Sequence, residues 1–347
     1  MKPISVLIVD DSAFMRKLIK DFLSEDPRIT VLDTARNGQE AIEKTIRLKP
    51  DVVTMDVEMP VLNGIEAVRG IMNRYPVPII MLSSTTKAGA ENTILAMEAG
   101  AIDVIAKPSG AISLDLHKVK KLLIEKVIAS SKAKITSLKG SNEKQDMKVR
   151  VEPIRSNNLS KLVLIGTSTG GPRALQEVIT KLPADLHVPV VVVQHMPAGF
   201  TKSLANRLDS LSRVRVKEAE HKEPLENGTV YIAPGGYHLR LNEKMGRPII
   251  TLDKERPIGG HRPAVNVLFS SAAKLKNYQK IAVIMTGMGS DGTLGIIELK
   301  EAAETIVITE AEESCIVYGM PKAAVLTKKV DEVVHLESIA GTIQNYL

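Results

Sequence analysis

Residues 161–172 of this 347-residue chain read Lys161-Leu-Val-Leu-Ile-Gly-Thr-Ser-Thr-Gly-Gly-Pro172. This stretch predicts a short buried strand, a glycine-rich turn centred on Ser168, and a helix opened by Pro172. Gly166, Ser168 and Gly170 fit the G-x-S-x-G pattern, in which a sharp strand-to-helix turn exposes a serine hydroxyl. The helix start behind the turn offers unpaired N–H groups to a developing negative charge. A phosphate-binding loop is the alternative, although a dinucleotide loop would have glycine in place of Ser168.

The composition is that of a globular protein with two domains. Hydrophobic residues make up 44% of the chain, whose length exceeds one ordinary core. Aromatic residues reach only 3%, which argues against a base-stacking nucleic-acid binder, and the formal charge of +6 favours solubility over binding to nucleic acid or a membrane surface. The one cysteine, Cys315, excludes an internal disulfide and fits a small buried residue better than a catalytic thiol. No stretch reaches the ~18 apolar residues of a membrane span, so we expect a cytoplasmic protein without membrane insertion.

The first half of the chain alternates between β-branched runs and amphipathic helical patterns. The runs predict strands at 5–9, 30–34, 52–55, 78–82 and 103–105, and the patterns predict helices at 13–24, 38–48, 64–74, 87–99 and 112–129. Five successive βα units predict a doubly wound, flavodoxin-like parallel sheet. In such a sheet the functional groups gather at the carboxyl ends of the strands.

Charged and hydroxyl residues follow four of these strands. Asp10 and Asp11 follow the first strand, Asp56 the third, Ser83 the fourth and Lys107 the fifth. Neighbouring carboxylates repel one another, which calls for a hard cation such as Mg²⁺. An ammonium and a hydroxyl beside them predict a carboxylate that accepts a phosphoryl group.

This half resembles the response-regulator receiver domain over its whole length. The resemblance rests on Asp10-Asp11, Asp56 within Thr-Met-Asp-Val-Glu-Met-Pro, Ser83 and Lys107-Pro108. It implies that a partner histidine kinase phosphorylates Asp56, and that Asp10, Asp11, Asp56 and the carbonyl of Glu58 hold Mg²⁺. Receivers often carry an aromatic residue three positions before the lysine, where this chain has Val104, so we expect the signal to leave by another route.

Residues 130–159 separate the two halves. Between 131 and 160 there are seven Lys or Arg and three Asp or Glu, without an apolar period, which predicts a flexible linker rather than a basic binding segment. We therefore predict a receiver domain at 1–129, a linker at 130–159 and a catalytic domain at 160–347.

The alternation of strands and helices resumes from residue 161. Strands are predicted at 162–165, 189–194, 213–217, 229–233, 237–241, 248–252, 281–285, 305–308 and 329–333, and helices at 172–181, 200–210, 263–276, 293–301, 321–327 and 336–345. The stretch 213–253, with Asn227-Gly228 and Gly235-Gly236, predicts hairpins. The second domain is thus expected to be α/β, with a mostly parallel sheet and added antiparallel hairpins.

Three strands of this domain end in unusual sequence, at Ser168, at Gln194-His195-Met196-Pro197 and at Thr286-Gly-Met-Gly-Ser-Asp291. If the strands are parallel neighbours, a serine, a histidine and an aspartate converge, which is the set that serine acyl transfer requires. Each residue also has an ordinary structural role, as a helix cap or a buried histidine. His238 and His261 follow glycine-rich turns and are rival bases. No His and Cys spacing indicates zinc, and we expect no cofactor in this domain.

The order Ser, His, Asp along the chain differs from that of the α/β-hydrolases. The order of these three residues and the motifs around them resemble those of the chemotaxis protein-glutamate methylesterase (CheB) family, over both halves of the chain. The motifs are Gly166–Gly171, Gln194-His195-Met196, Tyr231–Gly236, His261-Arg-Pro263, Met285–Gly292 and Ser314–Pro321. The resemblance implies hydrolysis of γ-glutamyl methyl esters on chemoreceptor cytoplasmic helices, with glutamine deamidation as a second reaction. Ser168 would be the nucleophile, His195 the base and Asp291 its orienting carboxylate, with N–H groups of Thr169 and Met288 as oxyanion donors.

The layout suggests that the unphosphorylated receiver covers the rim that bears Ser168, and that phosphorylation of Asp56 loosens or reorients the receiver. We expect a monomer that acts in chemotactic adaptation. A different class of function is a response regulator whose second domain only binds a protein or a nucleotide. A DNA-binding regulator is a third class, but the chain lacks a basic recognition helix.

Overall fold

The computed structural model describes residues 2–108, 113–133, 135, 159–302 and 304–347. It confirms the predicted fold class, two α/β units with an antiparallel addition to the second. Most of the predicted linker, 136–158, lies outside the described residues. Among the helices of the described ranges, none combines the length and the apolar character that a bilayer span requires.

The first unit is a five-stranded parallel sheet in the order β2-β1-β3-β4-β5. Strands β3 and β4 are buried along their whole length, as expected for a parallel sheet covered by helices on both faces. The elements are β1 (Ile4–Val9), α1 (Ala13–Ser24), β2 (Ile29–Ala35), α2 (Gly38–Leu48), β3 (Val52–Asp56), α3 (Gly64–Arg74), β4 (Ile79–Ser83), α4 (Lys87–Glu98), β5 (Asp103–Ala106) and α5 (Ser113–Ser130).

Local sequence fixes where the receiver-like helices begin. Asn37 and Asn63 cap α2 and α3, and each accepts a hydrogen bond of 2.9 Å from the N–H of the glutamate three residues later. A capping residue followed three positions later by an acidic residue is a common signal for the start of a helix. The acidic side chain is itself favourable there, because it lies near the positive end of the helix dipole.

The second unit is a seven-stranded sheet in the order β14-β13-β12-β6-β7-β9-β8. All its strand pairs are parallel. The elements are β6 (Ser160–Thr167), α6 (Gly171–Ile179), β7 (Val190–Gln194), α7 (Phe200–Leu211), β8 (Arg215–Glu218), β9 (Thr229–Ile232), β10 (His238–Lys244), β11 (Arg247–Asp253), α8 (Val265–Ala273), β12 (Tyr278–Ile284), α9 (Thr293–Ala302), β13 (Thr305–Glu310), α10 (Met320–Leu326), β14 (Glu332–Val334) and α11 (Leu336–Asn345).

The prediction of hairpins throughout 213–253 is wrong for its first half. Strands β8 and β9 pair in parallel, and Asn227-Gly228 stands just before β9, where the Gly228 N–H donates to Val188 O at 3.1 Å. The turn signal therefore marks the end of a crossover. The hairpin is β10–β11, and its reversal lies at Met245 and Gly246, both with positive φ, as a tight two-residue turn requires.

The two units pack against each other through α4, which lies on α7 and α6. One continuous apolar cluster joins them and includes Met97 from α4, Leu175 from α6 and Leu204 from α7. At its rim Arg207 makes a two-pronged ion pair with Glu98, with N–O distances of 2.6 and 3.0 Å. The contact brings the receiver-like unit to the carboxyl ends of the second sheet.

Candidate active site

Ser168 lies in the turn between β6 and α6 and is buried. Its N–H donates to Thr286 O at 3.0 Å, which ties the turn to the end of β12. Gly170 caps α6 with φ of 80°, and a Cβ there would lie 2.7 Å from the Ile316 side chain. Glycine is required at this position for both reasons.

The structure brings the three strand ends of the predicted site together. Strand β6 has β7 on one side, with Thr167 opposite Gln194, and β12 on the other. His195 Nε2 lies 2.8 Å from Asp291 Oδ2, and both side chains are buried. The other ring nitrogen, Nδ1, is buried and has no hydrogen-bond partner among the described residues. Because Asp291 engages Nε2, Nδ1 is the nitrogen available for proton exchange.

Asp291 is held from a second direction by the start of α8. Val265 N donates to Asp291 Oδ2 at 2.6 Å and Asn266 N donates to Oδ1 at 2.9 Å. Burial favours the neutral acid, but the hydrogen bond from His195 and those from the two N–H groups outweigh it and hold the pKa of Asp291 below its ordinary value. The carboxylate thus stays ionised beside the imidazole.

The two predicted oxyanion donors lie in segments that pass beside Ser168. A Cβ on Gly287 would lie 2.7 Å from Ser168 Cβ, so the loop that carries Met288 passes close to the serine. Within the described part of the chain, the N–H groups of Thr169 and Met288 donate to no backbone acceptor. The N–H groups of Ser168 and Gly287 are already engaged, so Thr169 and Met288 stay candidates for the turn and the loop.

The rival histidines occupy two different places. His238 is fully buried, and its Nε2 lies 3.1 Å from Arg256 O. His261 stacks on the ring of His195, with centroids 3.8 Å apart and planes 4° apart. Neither is paired with Asp291 in the described structure, so His195 is the better candidate for the base.

Sequence reasoning missed Glu310, a buried carboxyl at the end of β13. Its Oε2 accepts the N–H of Thr286 at 2.8 Å, directly before the loop that carries Met288. Burial raises the pKa of Glu310 to about 7, against the hydrogen bonds it accepts. The only sequence signal was a charged residue that follows an apolar strand.

The residues of the predicted phosphoryl site lie together at the carboxyl end of the first sheet. Carboxylate oxygens of Asp10, Asp11 and Asp56 lie within 4.8 Å of one another, and Lys107 Nζ lies 2.8 Å from both Asp10 and Asp56. Burial raises the pKa of Asp56 to about 6, although the hydrogen bond from Lys107 opposes that rise. Three clustered carboxylates with one ammonium fit a hard divalent cation such as Mg²⁺. Glu58, whose carbonyl is the fourth predicted ligand, follows two residues after Asp56, with its side chain exposed.

Ser83 connects this site to α4. Its buried hydroxyl donates to Gly89 O, in the first turn of α4, at 3.1 Å and to Ser84 O at 3.2 Å. Val104, at the position where receivers often carry an aromatic residue, is buried. Helix α4 also packs on α6 and α7, so one helix lies between Ser83 and the second unit.

Hydrogen bonds join the receiver-like unit directly to the turn that carries Ser168. Ile102 O accepts the Gly170 N–H at 2.8 Å, and the Asp103 carboxylate accepts the Thr169 hydroxyl. Asp103 is buried and also accepts from the Lys126 ammonium of α5. Sequence reasoning did not find the contacts of Ile102 and Asp103 with the Ser168 turn, which join residues more than sixty positions apart.

The fold and the residues at its strand ends define a hydrolase-like α/β domain joined to a receiver domain. Comparisons with known proteins agree. A family model described as CheB methylesterase matches residues 163–343, and one described as Response regulator receiver domain matches residues 6–117.

Curated relatives match over the full length. A protein from Geobacillus kaustophilus (strain HTA426), named Protein-glutamate methylesterase/protein-glutamine glutaminase, is 56% identical and covers 99% of this chain and 98% of its own. One of the same name from Bacillus subtilis (strain 168) is 52% identical, with 98% and 97% covered. The crystal structure of the Thermotoga maritima CheB methylesterase catalytic domain superimposes with a TM-score of 0.52 at 46% identity, over 54% of this chain and 99% of that one.

The chain belongs to the CheB methylesterase family. The predicted enzyme class is confirmed: the protein is a methylesterase with a response-regulator receiver domain. The full-length relatives carry the names of both activities predicted from the sequence.

Proposed function

We propose that this protein removes methyl groups from glutamate methyl esters on chemoreceptor cytoplasmic helices, deamidates glutamines there, and is activated by phosphorylation of Asp56. The observation that carries the chemistry is the 2.8 Å contact of His195 Nε2 with Asp291, which leaves the buried Nδ1 without a partner in the described structure. Strand β7, which directly precedes His195, is adjacent to strand β6, which directly precedes Ser168.

The proposed reaction proceeds by two acyl transfers. His195 Nδ1 takes the Ser168 proton as Oγ attacks the ester carbonyl, and N–H groups of Thr169 and Met288 stabilise the oxyanion. Collapse breaks the C–O bond to the methoxy group, and the protonated imidazole gives its proton to the departing methoxide oxygen, which leaves as methanol. Water then attacks the γ-glutamyl ester of Ser168, again with His195 as base, and releases the glutamate. A glutamine side chain follows the same steps and releases ammonia.

The proposed receiver site uses Asp56 as the phosphoryl acceptor. When Mg²⁺ is bound by Asp10, Asp11, Asp56 and the Glu58 carbonyl, it neutralises charge on the carboxylates and the incoming phosphoryl group. Lys107, already placed between Asp10 and Asp56, would pair with a phosphoryl oxygen. A chemotaxis histidine kinase would supply the phosphoryl group, and the enzyme would act as a cytoplasmic monomer.

In the proposed resting state, the receiver blocks the approach of substrate to Ser168. Its Ile102 and Asp103 bind the turn next to Ser168, where a receptor helix must approach. A phosphoryl oxygen that recruits the Ser83 hydroxyl would withdraw it from Gly89 O, which would loosen α4 and its contacts with α6 and α7. This route does not need an aromatic residue at position 104.

The test of the substrate is release of methanol from methylated receptor cytoplasmic fragment by the full chain. We expect release of methanol from the methylated fragment and of ammonia from a fragment with glutamines at the same sites. A serine-reactive phosphonate should label Ser168 and should not label it in His195→Ala. If a simple methyl ester is hydrolysed but the receptor fragment is not, the result supports the esterase activity and contradicts the proposed receptor substrate. If neither is hydrolysed and no label appears, the proposed acyl transfer on Ser168 fails.

Mg²⁺ is expected to stabilise the receiver by binding its acidic cluster. Ligand at ten times its dissociation constant adds about 1.4 kcal/mol to the free energy of unfolding. We expect thermal unfolding of the wild type to move upward with Mg²⁺ and that of Asp11→Asn to move much less. Asp21→Asn, an exposed carboxylate on α1 outside the cluster, is the matched control and should behave as wild type. An equal shift in all three proteins would argue against the proposed site.

A further inference from the structure

The ring of His261 covers one face of the ring of His195. The centroids are 3.8 Å apart and the planes are within 4° of parallel. Two imidazoles at this separation are in van der Waals contact, and such stacking fixes their relative orientation. His195 is therefore held by Asp291 at its edge and by His261 on its face.

The segment that carries His261 also positions the partner of His195. Ile258 and His261 exchange two backbone hydrogen bonds, of 3.1 and 3.0 Å, which close a tight loop. Four residues later the same segment enters α8, whose Val265 N–H binds Asp291. The segment that carries His261 is thereby tied, through Val265, to the same carboxylate that binds His195.

Titratable groups of three other elements face His261. His195 follows β7, Asp291 follows β12, and Lys126 belongs to α5 of the receiver. Burial lowers the pKa of His261 to about 3; His195 and Lys126 contribute to the lowering, and Asp291 opposes it. His261 is thus neutral at physiological pH, and a neutral ring can face a cationic one without repulsion.

We propose that His261 is a positioning residue for the base: its ring fixes the plane of the His195 imidazole and covers one face of the imidazolium formed when Ser168 is deprotonated. The inference rests on the proposed role of His195. What His261 supplies is an aromatic face rather than a hydrogen bond. Phenylalanine should therefore replace it, and polar groups of similar length should not.

The experiment compares His261→Phe, His261→Gln and His261→Ala in the full chain, with phosphodonor and Mg²⁺ present and methanol release as the readout. The attraction between a desolvated cation and an aromatic face, if lost from the transition state, slows the reaction by about 10- to 30-fold. We therefore expect kcat of the Gln and Ala variants to fall by that factor. KM should stay within about twofold of wild type because the ring acts on the base rather than on binding. His261→Phe should retain kcat within about threefold, since a phenyl face also attracts a cation.

His187→Ala, at an exposed histidine of the same domain, controls for the loss of an imidazole as such. Thermal unfolding of each variant separates misfolding from slow chemistry, and Gln and Phe provide two folded comparisons if Ala unfolds. Wild-type kcat in folded His261→Gln, or equal losses in folded Phe and Gln variants, would overturn the proposal. Serine labelling that persists in His195→Ala would instead contradict the role of His195, and so the two failures are distinguishable.

Discussion

Ser168→Ala is expected to abolish methanol release, with kcat lower by about 10⁶-fold, and His195→Ala should be nearly as slow. The loss follows from the proposed chemistry, because the acyl-enzyme cannot form without the hydroxyl and the hydroxyl is a weak nucleophile without a base. Asp291→Asn should lower kcat by about 10⁴-fold, since an amide cannot compensate the imidazolium or fix its tautomer.

The effects on kcat of substituting these three residues should also be non-additive. The double variant Ser168→Ala/His195→Ala is expected to be no slower than Ser168→Ala alone, because one missing member already removes the reaction path. Asp291 also accepts the N–H groups of Val265 and Asn266, so thermal unfolding of Asp291→Asn must be measured beside its kinetics. Asp185→Asn, at an exposed aspartate of the same domain, is the matched control. The proposed roles would be contradicted if the losses of kcat multiplied in the double variant. They would also be contradicted if folded Asp291→Asn kept a kcat within tenfold of wild type.

Much of the fold was predictable because local and global signals agree. The predominantly apolar runs of β1, β3 and β4 predict buried parallel strands, and Asn37 and Asn63 mark helix starts that the structure reproduces. The convergence of Ser168, His195 and Asp291 was predicted on the condition that their strands are parallel neighbours. Strand order β12-β6-β7 meets that condition.

What could not be predicted depends on contacts between distant parts of the chain. Asn227-Gly228 indicates a local reversal of the chain, but whether the next strand pairs with the previous one in parallel is decided by the insertion of β9 between β7 and β8. The stacking of His261 on His195 depends on where a long loop returns. The bonds of Thr169 and Gly170 to the receiver depend on how two units dock, and no periodicity of the sequence encodes this docking.

Phosphodonor and Mg²⁺ are expected to raise the esterase rate of the full chain by about 5- to 150-fold, the usual range of coupling between two sites. Asp56→Asn should show the basal rate under every condition. A variant that weakens the docked state should have a raised basal rate and respond less to phosphodonor, because less of the population remains to be shifted.

The ion pair of Glu98 with Arg207 at the rim of the docked surface allows a matched test. Both Glu98→Arg and Arg207→Glu place like charges where N–O distances are now 2.6 and 3.0 Å, and each should raise the basal rate several-fold. The double variant Glu98→Arg/Arg207→Glu restores opposite charges across the same contact, so its basal rate should return toward wild type.

A general loss of stability cannot produce that pattern, since a second destabilising change would add to the first. The reversed pair Arg36→Glu/Glu40→Arg, within the receiver and away from α4, controls for charge reversal itself and should leave the basal rate unchanged. Basal rates of both single variants equal to wild type would mean that α4 docking does not restrain Ser168. Failure of the double variant to recover would mean that the ion pair does not report docking. Recovery would place the restraint at the surface between α4 and α7, the surface that the proposed route from Asp56 through Ser83 and α4 would reach.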